Sequence, residues 1–296
     1  MAGDFYGLPT GSLDNGWLRV DYLSDVGPRI VRLCLSGSDE NLLAEVPDLM
    51  WETPFGDYFL RGGHRLWHAP EAYPRTYGPD NAGLRVEETG QGVHLCQPKE
   101  AGSGISKSIE IRLHADRPAV TLHHTLQNEG LWPVELAPWA ITQLPLGGVA
   151  VLPQRAPPLA SDPFYPNRHI ALWPMARWSD PRLHIHDDFV LVHAQPRVPP
   201  LKLGYLNRLG WAGYLHQGVF FCKRFEHNAE AAYPDLGSNV EVYCENQFLE
   251  LETLGPLVKL EPGQSVSHTE VWEIYADLEV SETVEGIQDL QSKLGL

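Results

Sequence analysis

Residues 248–275, FLELETLGPLVKLEPGQSVSHTEVWEIY, decide how this chain is read. From Phe248 to Thr253 apolar and acidic residues alternate, and successive side chains of a strand point to opposite faces. Phe248, Glu250 and Glu252 therefore share one face, and Leu249, Leu251 and Thr253 share the other. With the leucines toward a core, the two carboxylates stand on the outer face. There they are either solvated surface or part of a site.

The same texture runs outward through the chain. Alternating runs at 18–23 and 29–35 flank the Gly27-Pro28 turn, and runs at 84–88, 93–97, 105–114 and 119–128 read as consecutive antiparallel strands. Between 201 and 243, short strands alternate with tight turns. The 25 prolines and 27 glycines are spread along the 296 residues and leave little room for long helices before the C-terminus. There, 281–294 opens on Ser281 as N-cap and spaces Val284, Ile287, Leu290 and Leu294 at helical intervals. These patterns predict an all-β chain with a C-terminal helix.

Three segments break the rhythm. Residues 54–79 read as a shaped loop centred on Arg61-Gly62-Gly63-His64-Arg65-Leu66-Trp67-His68-Ala69-Pro70-Glu71. Its paired glycines permit close backbone approach, and its basic and imidazole groups crowd one aromatic. The alternative is a long loop in which Trp67 plugs the core while Arg61 and Arg65 pair with nearby acids. Residues 132–144, WPVELAPWAITQL, put Trp139 and Gln143 on one face, with Pro133 and Pro138 limiting central pairing. A proline-rich stretch through Ala156, Pro157, Pro158 and Pro163 to Arg168 reads as a crossing loop.

Composition excludes some functions. The formal charge is −16, and no block of Lys and Arg offers the basic footprint of a nucleic-acid partner. The first residues have neither a basic n-region nor an apolar h-region, and no later run approaches the roughly 20 apolar residues of a membrane span. The expectation is a soluble, cytoplasmic protein. Cys34, Cys96, Cys222 and Cys244 form no CxxC pair and read as buried thiols. His184 with His186, and His64 with His68, have spacings that metals use, but no acidic or cysteine partner sits at a diagnostic distance, so no metal or other cofactor is expected.

Together these segments resemble the galactose mutarotase-like (aldose 1-epimerase-like) superfamily over about residues 18–276. The match is nearest to an uncharacterised bacterial branch with GGxRxW and LELExLGP motifs. The resemblance implies one domain over 1–296 with a β supersandwich fold and a sugar site on a concave sheet. Glu252 falls on the family's catalytic glutamate. Arg61-Gly62-Gly63 resembles the RGG of hexose-6-phosphate mutarotases, whose Arg belongs to the sugar pocket, and Arg61 also takes the place of the histidine in the galactose mutarotase HGG. Leu144 stands where the family has its second catalytic histidine.

Ring opening of an aldose needs a base on the anomeric hydroxyl and an acid on the ring oxygen. Carboxylates gathered in a partly buried pocket suit general-base work. Glu252 is the candidate base, and His64, with an ordinary imidazole pKa near 6.5, is the candidate acid. Arg61, Arg65, Trp67, His68, Trp139, Gln143, Lys202, Asp235 and Glu250 are the candidate sugar-binding residues. For Trp67 and Trp139 the competing reading is core packing, for Lys202 an edge-strand lysine, and for Asp235 a turn residue. The expected function is an isomerase-type, epimerase-like enzyme acting on a neutral or cationic sugar. The alternative is a non-catalytic carbohydrate-binding protein using the same pocket. Hydrolysis or lysis by Glu250 and Glu252 is less attractive, because same-face neighbours on one strand do not flank a glycosidic bond.

Overall fold

The computed structural model describes residues 3–155 and 166–296. The crossing loop expected around Ala156, Pro157, Pro158 and Pro163 lies outside the described residues, apart from its last residues. Alternation gives strands along nearly the whole chain, and they hydrogen-bond into an 11-stranded sheet, a 10-stranded sheet and a two-stranded ribbon. The centre of the first sheet runs Arg29–Leu35, His64–Ala69, Val134–Leu144, Leu249–Leu254, Val240–Cys244, Leu201–Tyr205. The second is centred on Val219–Phe225, Ser265–Tyr275, Ala119–Asn128 and Ile105–Leu113. Every strand pairing among the described residues is antiparallel, as hairpin-linked β chains favour.

The sheets pack through their inner faces. Val20, Leu33, Leu66, Leu249 and Leu251 of the first meet Val93, Ile109, Leu122, Phe221 and Trp272 of the second in one buried cluster. Leu249 and Leu251 are fully buried there, which sends Glu250 and Glu252 to the opposite side of the same strand. That side is covered as well. The ribbon Glu45–Thr53 with Gly56–Gly62 lays Val46, Tyr58 and Leu60 against Trp67, Trp139, Ile141 and Leu254. Burying Trp139 in such a cluster is worth about 3–5 kcal/mol by large-to-alanine comparison.

Residues 54–79 differ from the loop expected. Gly56–Gly62 and His64–Ala69 are both strands, the second sitting between Arg29–Leu35 and Val134–Leu144. Alternation is masked there because His64 and His68 are polar residues on the inner face. Gly62 and Gly63 make the sharp junction, with φ of +94° and +68°. A Cβ on Gly63 would stand 2.0 Å from the Ile30 carbonyl oxygen, and one on Gly62 2.2 Å from that of Ala44. Only glycine lets the ribbon and the sheet approach so closely.

Strand Val134–Leu144 continues through Pro138 despite the expected break, because the Pro138 carbonyl accepts from the Gly255 amide and the ring needs no donor partner. The C-terminal helix spans Val284–Leu294, and its N-cap is Thr283, whose hydroxyl accepts from the Gly286 amide, rather than Ser281. Ile287 and Leu290 pack on the outer face of the second sheet against Val149, Phe189 and Trp211. Among the described residues, no helix is long and apolar enough to cross a membrane.

Candidate functional site

The outer face of the first sheet is polar where the ribbon ends. Cross-strand register sets Gln143 opposite Glu250, Ile141 between Arg65 and Glu252, Glu252 opposite Glu241, and Glu250 opposite Tyr243. Lys202, on the next strand, lies opposite Tyr243. Period-two geometry thus gathers side chains from five strands on one face.

Glu252 is held through one oxygen. Its Oε2 accepts from the Trp139 indole at 2.7 Å and from Lys202 Nζ at 3.2 Å, while Oε1 has no partner. Lys202 also lies 3.0 Å from Glu241 Oε2, and its ammonium sits 4.5 Å from the Trp139 ring centre and 4.8 Å from that of Trp173. Arg65 donates to Glu250 Oε1 at 2.9 Å and lies 4.2 Å from the Trp67 ring centre. Its Nε and Nη1 are unpartnered, as are both amide atoms of Gln143. Trp67 and Trp139 meet edge to face at 5.5 Å, and Tyr58 fixes Trp67 by accepting from its indole at 2.8 Å.

Electrostatics separates the acids. Burial pushes the Glu241 carboxyl well above the usual carboxylate range, with Glu252 and Asp235 adding to the effect and Lys202 opposing it. Burial and neighbouring Glu252 also raise Glu250, against the pull of Arg65. Asp235 is raised by burial and by Glu71, against the pull of Lys202. Burial works against the charge on Lys202, but Glu252, Glu241 and Glu250 outweigh it and keep the ammonium protonated far above neutrality. Among the described residues the face holds Glu241, Glu250, Glu252 and Asp235 against Lys202 and Arg65, and burial favours the neutral form of Glu241 and Glu250.

Of the sequence candidates, Arg65, Trp67, Trp139, Gln143, Lys202, Asp235, Glu250 and Glu252 come together here. His64, His68 and Arg61 do not. On strand His64–Ala69 the even-numbered residues point between the sheets, so the imidazoles lie on the wrong side for this face. His64 bonds Thr142 Oγ1 and His124 Nε2, each at 2.8 Å, and burial drives its pKa well below the ordinary value. His68 is buried beside Glu100, 3.8 Å away, where Lys107 forms an ion pair with that carboxylate. Arg61 is taken up by Asp80 and Asn81, each at 2.6 Å, and Asp80 also binds Arg29. Leu144 is fully buried on the inner face.

Glu241, Trp173 and Tyr58 are additional members of the constellation. Glu241 carries a legible signal: Val240-Glu241-Val242-Tyr243 alternates like the strand beside it. Trp173 and Tyr58 reach the site only through strand order and the ribbon crossing, which periodicity does not encode.

No family model and no curated protein matches this sequence. Solved structures do match. A galactose mutarotase-like protein from Lactobacillus casei superposes with TM-score 0.58 at 11% identity, covering 90% of this chain and 100% of that one. A provisionally named aldose 1-epimerase from Escherichia coli K12 gives TM-score 0.56 at 12% identity, with 91% and 100% covered. A TPR-domain containing protein from Parabacteroides distasonis gives TM-score 0.62 at 15% identity. The match covers 93% of this chain but 48% of that protein, so the chain spans about half its length. At these identities the likeness concerns architecture, and this chain has the galactose mutarotase-like fold.

Proposed function

We propose that the acidic outer face of the first sheet binds a neutral or cationic sugar and catalyses ring opening at its anomeric centre, in a single domain of the mutarotase-like kind. The observation that supports a ligand most directly is the set of buried polar atoms on this face without a partner among the described residues: Gln143 Oε1 and Nε2, Arg65 Nε and Nη1, and Glu252 Oε1. Leaving such groups without partners costs about 1–3 kcal/mol each, a cost that hydroxyl-rich ligands relieve. Trp67 and Trp139 supply the apolar wall on which a pyranose ring rests.

The acid–base assignment follows from the separated carboxyls. Glu252, anchored through Oε2, presents Oε1 to take the proton of the anomeric hydroxyl. Glu241, whose carboxyl burial pushes upward, gives its proton to the ring oxygen as the C1–O5 bond breaks. Rotation about C1–C2 and reversal of the two transfers close the other anomer and restore both groups. Glu241 thus fills the role assigned to His64 from sequence. Lys202 lies beside both Glu252 and Glu241 and offsets the charge of whichever is ionised as the proton moves.

The second reading is a carbohydrate-binding protein without turnover. It is favoured by the engagement of Arg61 with Asp80 and by the inward Leu144, since neither family histidine position offers an imidazole here. Polarimetry on freshly dissolved aldoses separates the two. Acceleration by wild type that falls about 10²- to 10⁴-fold in Glu252→Gln and in Glu241→Gln supports the enzyme. Binding of the same sugars with no acceleration supports the binder.

A further inference from the structure

A separate donor set lies on the edge hairpin of the second sheet, formed by Arg85–Thr89 and Gly92–Cys96. Val93 and Leu95 are fully buried in the core, which locks the hairpin's register and turns His94 and Cys96 outward. Register sets Glu87 directly opposite His94 and places Cys96 two pairs along, on the same face. The ligand atoms of Glu87, His94 and Cys96 all lie within 4.8 Å of one another. Cys96 Sγ is 3.4 Å from His94 Nδ1 and 3.5 Å from Nε2, and His94 Nδ1 is 3.8 Å from Glu87 Oε2.

The Sγ···Nδ1 separation is that of a tetrahedral edge, whereas the Nδ1···Oε2 separation is longer and Sγ stands equally far from both ring nitrogens, so the imidazole turns and Glu87 moves inward to bind an ion. Metal–ligand lengths of about 2.0–2.3 Å give S···N and N···O edges of about 3.4–3.6 Å. Arg85 binds Glu87 through Oε1 at 2.8 Å, which leaves Oε2 facing the imidazole, and the Arg85 side chain is 71% exposed and free to swing away. The other His and carboxylate grouping, His64, His124 and Glu270, is closed by its own bonds. His124 Nδ1 donates to the His268 carbonyl, so its Nε2 accepts from His64, and Glu270 is taken by Lys223, Thr253 and Trp272.

We propose that Glu87, His94 and Cys96 form a binding site for a zinc-class divalent metal, with three protein donors and water completing the coordination. One thiolate, one imidazole and one carboxylate select a borderline ion such as Zn2+ or Co2+ over Mg2+ or Ca2+. Binding releases the thiol proton to solvent and leaves the imidazole neutral.

Titration of the chelator-treated full chain with Co2+ tests this. Wild type is expected to bind one ion with a thiolate-to-cobalt charge-transfer band. Cys96→Ser should lose that band, and both Cys96→Ser and His94→Gln should weaken binding at least about tenfold. Arg85→Ala, which removes the competing cation, should bind as tightly as wild type or tighter. Circular dichroism on each variant checks that the edge hairpin change leaves the fold intact. A saturated titration without the charge-transfer band, or unchanged affinity in Cys96→Ser, would overturn the assignment.

Discussion

At the level of single residues, Gln143 separates function from stability. Its side chain is fully buried and neither amide atom has a partner. An unpartnered buried amide costs folding free energy, whereas a methionine of similar volume costs little. Gln143→Met is therefore expected to raise unfolding free energy in urea by about 1 kcal/mol while weakening sugar binding. A loss of more than that amount would mean that the amide is satisfied within the protein. His64 makes the opposite case. Its two ring nitrogens are both engaged between the sheets, so His64→Asn should lower stability and leave the pH profile of any mutarotation unchanged. A profile displaced along the pH axis by that substitution would return His64 to the chemistry.

At the level of elements, the strand bearing Glu250 and Glu252 is pinned from behind. Lys223 of the second sheet donates to the Leu251 carbonyl at 2.9 Å and to Glu270 at 2.9 Å, and all of these groups are fully buried. Removing one partner of such a pair leaves an uncompensated charge, so Glu270→Gln should cost about 3–5 kcal/mol in equilibrium urea unfolding. A cost below about 1 kcal/mol would show that this buried group, which reaches the first sheet through Leu251 and Thr253, is not holding the sheets together. The strand itself is legible in sequence because leucines alternate with glutamates, one face apolar and one charged. Strand His64–Ala69 is not, because histidines replace the expected apolar residues on its inner face and arginine and tryptophan fill the outer one. Hydrophobic alternation vanishes where both faces carry polar groups, which is why sequence reasoning puts two imidazoles in the site that the structure turns away from it. Glu241 is within reach of the same alternation argument. Its value becomes visible only when strand order brings it opposite Glu252.

At the level of the whole molecule, the fold places buried titrating groups on both sides of one sheet. Burial pushes the folded-state pKa of His124 down to about 4 and that of His268 down to about 3. Such groups give stability that is fully present above the unfolded histidine pKa near 6.5 and is lost as pH falls toward those values, because the unfolded chain takes up protons that the folded one refuses. Glu241 and Glu250, raised in the folded state, act in the opposite sense, so the histidine contribution is read in Glu241→Gln/Glu250→Gln, whose urea midpoint should drop between about pH 6.5 and pH 4; a flat midpoint in that variant would contradict the buried neutral histidines. The formal charge of −16 and the excess of acids on the candidate face act together against anions, so a sugar phosphate should bind more weakly than its parent sugar. Architecture at this scale follows from the turn-rich, alternating sequence, whereas the packing of the ribbon on Trp67 and Trp139 depends on long-range crossing that no local pattern records.

A crystal structure of the chain with a bound aldose decides whether this acidic face is the sugar site. The pyranose ring is expected against Trp67 or Trp139, its hydroxyls within hydrogen-bonding distance of Gln143 and Arg65, and its anomeric oxygen beside Glu252 Oε1. A sugar seated on any other surface, with Gln143 and Glu252 untouched, would contradict that placement.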